Sequence, residues 1–388
     1  MPNMDNRIEH VEKSRLLFID NVRLLVIVLV VVMHLAVTYS GFGSWYYKEG
    51  AEIGTLQTIA FGYPQAFVQG FSMGLMFLIA GYFVPESYDR KGFARFVRDR
   101  LVRLGLPVLT YMLLIHPLTA FGLLGYRLAE GGLLATYARY LTSLSFLGES
   151  GPLWFALALL FFTLAYALLR RLFAREASLR SRALPSFSMV LALVIVTSLA
   201  TFLVRIVQPI GTSIMNVQLC YFPQYVVFFI LGICCKRNDW LMQLGYKVSR
   251  LCLVWGLSLG CVAFLALFTL GGALSGDLSP FEGGLTWQSA AFAVWESCVA
   301  VSMSVGLLAF YKEKHDRQGR LVGAMSRNAF AVYVFHPPII VALTLLLAPI
   351  GFIPIIKFLI AVAIGVPACF LATNFTVHKV PVLSRLFA

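Results

Sequence analysis

Ten long apolar runs, separated by short polar or glycine-rich stretches, dominate the pattern along the chain. They fall near 22–41, 61–84, 104–124, 152–172, 187–207, 217–235, 250–271, 287–311, 329–349 and 353–374. Most match or exceed the roughly 18–20 apolar residues a helix needs to cross a hydrocarbon core. The pattern predicts an all-α fold, a polytopic transmembrane helical bundle of about ten spans. An even number of spans puts both termini on one side. The longest outer loop, 125–150, is predicted to carry an amphipathic helix on the membrane surface. Gly70-Phe-Ser-Met-Gly74 has the small-xxx-small spacing of closely packed helices. No inverted repeat of the kind that marks many transporters is visible. The chain divides into a tail at 1–15, a transmembrane domain at 16–375 and a tail at 376–388.

Composition agrees with this reading. The 388 residues are 59% hydrophobic and only 13% charged, with a mean hydropathy of +0.82. Packing in water cannot bury that much apolar surface. The net charge of +13 would suggest nucleic acid in a soluble protein. Here the charges sit between the apolar runs, so topology accounts for them and no nucleic-acid partner is expected. Basic residues crowd the N-terminal tail, "RKGFARFVRDRLVR", "RRLFAREASLRSR", "KRNDWLMQLGYKVSR", "KEKHDRQGR" and the C-terminal tail. The alternate loops hold few, and carry Glu49, Glu52, Glu149, Asp277 and Glu282. The bias alternates at every span, which makes both termini cytoplasmic. The first run is too long for a cleavable signal peptide and reads as a span. The seven cysteines lie in or beside apolar runs without zinc-type spacing. They read as packing residues, with no metal site and no disulfide.

Ionisable residues inside spans are costly, and so mark candidate chemistry. The first span carries Arg23 near its cytoplasmic end and His34 toward its outer end, 11 residues apart. At 100° per residue both lie on one helix face, roughly 16 Å apart along the axis. The bland alternatives are a snorkelling arginine and a hydrogen-bonded packing histidine. An imidazole is suited to take a proton from a hydroxyl or to carry an acyl group. Glu296 sits about ten residues inside the eighth span, at a depth similar to His34. It can orient the imidazole or pair with a helix cation such as Arg205. His336 precedes Pro337 and Pro338. The prolines free backbone carbonyls there, and a kink with a packing histidine is one reading. Arg100 and Arg103, three residues apart at the cytoplasmic start of the third span, form a guanidinium fork suited to phosphates.

These residues resemble a family. Arg23 and His34 form the Arg-x10-His pattern of acyltransferase family 3, the integral membrane acyltransferases. "FSMGLMFLIAGYFV", "RDRLVRLGLP", "GPLWFALALL" and "NAFAVYVFHPPII" resemble its other conserved blocks, in order. The length and helix count are also similar to its glucan succinyltransferase branch. The resemblance implies acyl transfer across the bilayer, from cytoplasmic acyl-coenzyme A to a hydroxyl of an outer glycan or lipid-linked glycan. It assigns His34 as base or transient acyl carrier, with Glu296 as a second catalytic residue. It places Arg23, Arg100, Arg103, Tyr82 and His336 with the donor or substrate. It implies no bound cofactor, acyl-CoA being a co-substrate, and a bacterial-type cytoplasmic membrane. The family's frequent C-terminal hydrolase-like extension is expected to be missing. A reading from another class remains, a transporter or flippase of lipid-linked sugars or organic acids with His, Glu and Arg as a relay. Acyl-CoA consumption against bare translocation separates the two.

Overall fold

The computed structural model describes residues 16–50, 53–126, 128–173, 183–273 and 276–377. Among these residues it is all-α, with nine continuous helical stretches long and apolar enough to cross a bilayer. They are α1 (Leu17–Ser40), α2 (Thr55–Leu123), α4 (Gly151–Leu172), α5 (Phe187–Val207), α6 (Leu219–Asn238), α7 (Tyr246–Leu270), α8 (Trp287–Lys314), α9 (Arg320–Leu347) and α10 (Pro354–Phe375). A shorter α3 (Gly132–Thr142) lies between α2 and α4, where the sequence predicts a surface helix.

α2 crosses twice. As a straight rod its 69 residues would run about 100 Å, some three times the hydrocarbon thickness. The rod is broken at Gly92, whose φ of 70° and ψ of 173° favour glycine. The first limb begins beside the end of α1, where Gln65 Nε2 donates to Ser40 Oγ at 2.9 Å. It descends to the basic ends of α4 and α6. There Asp89 takes Arg170 at 3.3 Å and Arg237 at 2.7 Å, and Glu86 takes Lys236 at 2.7 Å. The second limb climbs back to Tyr46, whose hydroxyl lies 2.7 Å from that of Tyr111. Nine stretches thus make ten crossings. The runs 61–84 and 104–124 are not separated by a loop, because most of the basic segment between them stays helical. The face bearing these cations is the one for which the charge bias predicts the cytoplasm, and residues 41–50 and α3 lie on the opposite face, the outer one in that orientation.

Burial sorts the helices. In the most apolar windows of α2, α8 and α1, 83%, 67% and 61% of residues are buried within the protein, against 22% in α5 and α7. Leu191, Ile195, Leu199 and Leu203 form an exposed stripe at four-residue spacing on α5, the face offered to lipid. Glycines set the closest contact. A Cβ at Gly81 would meet the Phe229 carbonyl oxygen, and one at Gly232 the Leu78 carbonyl oxygen, so the backbones of α2 and α6 touch. The Gly70–Gly74 step is part of this packing, since Gln224 Nε2 donates to the Gly70 carbonyl at 2.6 Å. The inner end of α1 is pinned by the α8–α9 connection. Phe18 N–H donates to Asp316 Oδ1 at 2.9 Å, and the Asn21 amide to the His315 and Arg317 carbonyls at 2.6 and 3.0 Å. Among the described residues the seven cysteines form no disulfide with one another.

Candidate active site

The outer half of the bundle encloses a cavity of about 1290 Å³. Its walls come from α1, both limbs of α2, α3, α4 and α6 to α9, with the residues that link them on the outer side. Aromatic faces predominate, among them Trp45, Tyr46, Tyr140, Tyr221, Phe268 and Phe292, and charged groups are few.

His34 lies on this wall. Its Nδ1 is 3.0 Å from Nε2 of His336, 302 residues away in the chain. His336 is fully buried. Its Nδ1–H donates to the Tyr333 carbonyl at 2.9 Å and lies 3.2 Å from that of Val332. The sequence explains why the Tyr333 carbonyl is available. In a helix it would accept from the N–H of residue 337, and Pro337 has none. A carbonyl only accepts, so the His336 proton sits on Nδ1 and its Nε2 is an acceptor in the neutral ring. His34 Nδ1 must then donate, which leaves the lone pair on His34 Nε2. The His-Pro-Pro step thus fixes the tautomer of an imidazole on another helix.

The segment after α1 covers this pair. Gly41, at φ 74°, ends the helix and turns the chain. Trp45 then stacks on His34 with ring centroids 4.0 Å apart. Among the described residues Trp45 Nε1 is buried without a hydrogen-bond partner. The segment is fastened at several points. Glu49 N–H donates to the Thr38 carbonyl at 2.9 Å, and Tyr126 Oη to the Tyr46 carbonyl at 2.5 Å. The nearly buried Lys357 of α10 reaches Glu49 at 2.5 Å and the Ala348 carbonyl at 3.1 Å.

Glu296 also lines the cavity. Of the two partners considered from sequence it has Arg205, 2.6 Å away, with the arginine wholly buried. Rings of Tyr221 and Phe292 flank the guanidinium at 5.3 and 5.4 Å. The hydrogen bond that orients His34 comes from His336 instead.

The remaining sequence candidates lie below the cavity, and none of Arg23, Arg100, Arg103 or Tyr82 is on its wall. Arg23 is half-exposed beside Asp20 at 3.5 Å, and Arg103 is exposed and holds Asp99 at 2.9 Å. Arg100 stacks over Phe96 at 4.8 Å, its Nε buried without a partner among the described residues. Tyr82 is buried, with Lys236 5.1 Å from its ring. Along α1 the cavity reaches down to Val30. Below that, Ile27 and Val26 are buried against their neighbours.

Sequence reasoning did not single out Trp45, Tyr46, Lys357 or His116. His116 carried a usable signal, since it too precedes a proline inside an apolar run. It lies on the cavity wall, with Nδ1 2.8 Å from Tyr46 Oη. Burial pushes the Tyr46 phenol up from its ordinary value, which keeps it a neutral hydroxyl.

A helical membrane bundle that holds an oriented imidazole against an outer cavity is the setting for group transfer at a bilayer. The family comparison agrees, since the family model described as an acyltransferase domain, that of acyltransferase family 3, matches residues 16–374. The chain belongs to that family and is a multi-pass membrane acyltransferase. No curated protein and no solved structure gives a significant match.

Proposed function

We propose that the protein is an O-acyltransferase of a bacterial-type cytoplasmic membrane. It moves an acetyl or succinyl group from cytoplasmic acyl-CoA to a hydroxyl of a glycan, or other envelope acceptor, on the outer side. The observation that carries this reading is His34, with Nδ1 committed to His336 at 3.0 Å and its ring on the cavity wall. That leaves one basic nitrogen for chemistry. Nε2 takes the proton from the acceptor hydroxyl while the oxygen attacks the thioester carbonyl. The tetrahedral intermediate then collapses with loss of the C–S bond, and the coenzyme thiolate recovers the proton from His34. The same nitrogen serves a two-step route, in which it first takes the acyl group as the C–S bond breaks and the coenzyme thiolate leaves, and the hydroxyl then displaces it, its proton going to that thiolate. The Trp45 indole N–H, buried without an acceptor among the described residues, is a donor for the thioester oxygen as charge develops there.

Arg23, Arg100 and Arg103 hold the donor's phosphates at the inner rim, with Tyr82 above them. Glu296 acts from the cavity wall, as the partner of Arg205. Delivery of the thioester calls for the inner half of α1 to part from its neighbours at Val26 and Ile27, which are packed shut here.

Proteoliposomes test the proposal, with acetyl- or succinyl-CoA on the basic face and pooled envelope oligosaccharides on the other. Wild-type protein yields acylated saccharide and free coenzyme, and His34→Ala loses about a thousandfold in rate. Saccharide crossing without acylation, or full activity in folded His34→Ala protein, contradicts it.

A further inference from the structure

A second titratable cluster faces the same cavity, away from His34. Ring contacts lead to it along one wall, from His34 to Trp45 at 4.0 Å, Trp45 to Tyr46 at 5.3 Å and Tyr46 to His116 at 5.4 Å. Tyr46 Oη lies between Tyr111 Oη at 2.7 Å and His116 Nδ1 at 2.8 Å. On its other side, His116 Nε2 stands 3.7 Å from Glu149 Oε2. Tyr111 is buried behind the wall, whereas His116 and Glu149 both line the cavity.

The carboxylate decides the proton arrangement. A lone pair on Nε2 would face the negative Glu149, so the favourable tautomer carries its proton there. His116 Nδ1 then accepts from Tyr46, and Tyr46 accepts from Tyr111. The gap of 3.7 Å is too long for a direct hydrogen bond, for which about 3.2 Å is the upper end. An oxygen about 2.8 Å from each atom spans it at a bent angle of roughly 80°, and the half-exposed Glu149 can swing outward to widen that angle. That oxygen must accept from an imidazole N–H and donate to a carboxylate. A hydroxyl does both. A carbonyl or ether oxygen has no proton to donate, and an ammonium group has no lone pair. The surroundings suit the C–H face of a sugar ring, since the aromatic side chains of Tyr140 and Phe121 line the cavity beside His116. The volume of about 1290 Å³ exceeds the roughly 300–1,000 Å³ of ordinary small-molecule sites, which leaves room for more than one sugar.

We propose that His116 and Glu149 form a hydroxyl-reading subsite for a saccharide acceptor of at least two rings, binding a hydroxyl other than the one acylated at His34. Tyr46 positions His116 by fixing its tautomer. The inference rests on the acyl-transfer reading, so its test keeps the two separable.

The assay measures coenzyme release and acylated saccharide in proteoliposomes. Acetyl- or succinyl-CoA is the donor, and a pool of glucose, galactose and mannose disaccharides is the acceptor probe. His116→Ala and Glu149→Gln should each raise acceptor KM about tenfold, the loss of one hydrogen bond to a charged group, with a much smaller change in kcat. The double variant should be little worse than either single one, because both residues hold the same hydroxyl. Tyr46→Phe should raise KM severalfold. Glu149 is half-exposed, so Glu149→Gln remains informative if His116→Ala folds poorly. Wild-type turnover with acceptor KM within twofold in Glu149→Gln and Tyr46→Phe overturns the subsite alone. Wild-type protein that releases no coenzyme with any donor and acceptor overturns the acyl-transfer reading, and the subsite with it.

Discussion

Two buried polar pairs border the outer cavity, and they are built on opposite logic. Arg205 and Glu296 meet at 2.6 Å as full charges, the arginine wholly buried between aromatic rings. Each charge needs the other, because an uncompensated charge in so dry a place is expensive. His34 and His336 meet at 3.0 Å as rings that can both stay neutral. Backbone carbonyls and a proline settle the proton of His336, and through it that of His34. A closed ion pair holds helices together and fixes a local field. A directed imidazole pair ends in one free nitrogen, and a free nitrogen can do chemistry.

The contrast can be broken from either side. The largest effect should come from Arg205→Met, which strands Glu296 and should cost about 3–5 kcal/mol, read as lost folded yield and lower thermal stability in detergent. The double variant Arg205→Met/Glu296→Leu should recover most of that stability. Next, His336→Ala should lower kcat about a hundredfold, with a smaller fall in melting temperature than Arg205→Met, because it opens a cavity and frees the His34 tautomer but strands no charge. Lys357→Met should lower kcat about tenfold by loosening the segment that holds Trp45 against His34. Limited proteolysis within residues 41–50 should rise in parallel. The smallest effect belongs to Pro337→Ala. It restores an N–H that competes with His336 for the Tyr333 carbonyl, and should slow turnover about two- to fivefold.

Much of the architecture is legible in the sequence because lipid enforces it. Apolar runs long enough to span, with basic residues gathered in every second loop, leave a chain few arrangements, and the spans lie where the runs predict. The two-pass α2 was half-visible, its basic middle clear but its continuity as helix concealed by those same charges. His34 is legible because it falls in phase with Arg23 on one face of an apolar run. Arg205–Glu296 was among the pairings considered, since few buried charges exist to choose from. The approach of His336 to His34 was not legible. It joins α1 to α9 across the fold, and no local spacing encodes that contact. Trp45 and Tyr46 follow the first span in a loop, where no periodicity marks them. Their role depends on a path set by Gly41, Glu49 and Lys357, which is tertiary information. His116 was one more histidine in an apolar run until the structure set Tyr46 and Glu149 beside it.

The central claim is that His34 presents an unprotonated Nε2 to the outer cavity because His336 holds its Nδ1–H. Nitrogen-15 NMR of histidine-labelled protein in lipid nanodiscs reads this directly, with the His34 and His336 signals assigned by their loss in His34→Gln and His336→Gln. The account predicts that both rings carry their proton on Nδ1, with a coupling across the hydrogen bond between His34 Nδ1 and His336 Nε2. A His34 ring protonated on Nε2, in wild-type protein at neutral pH, would contradict it.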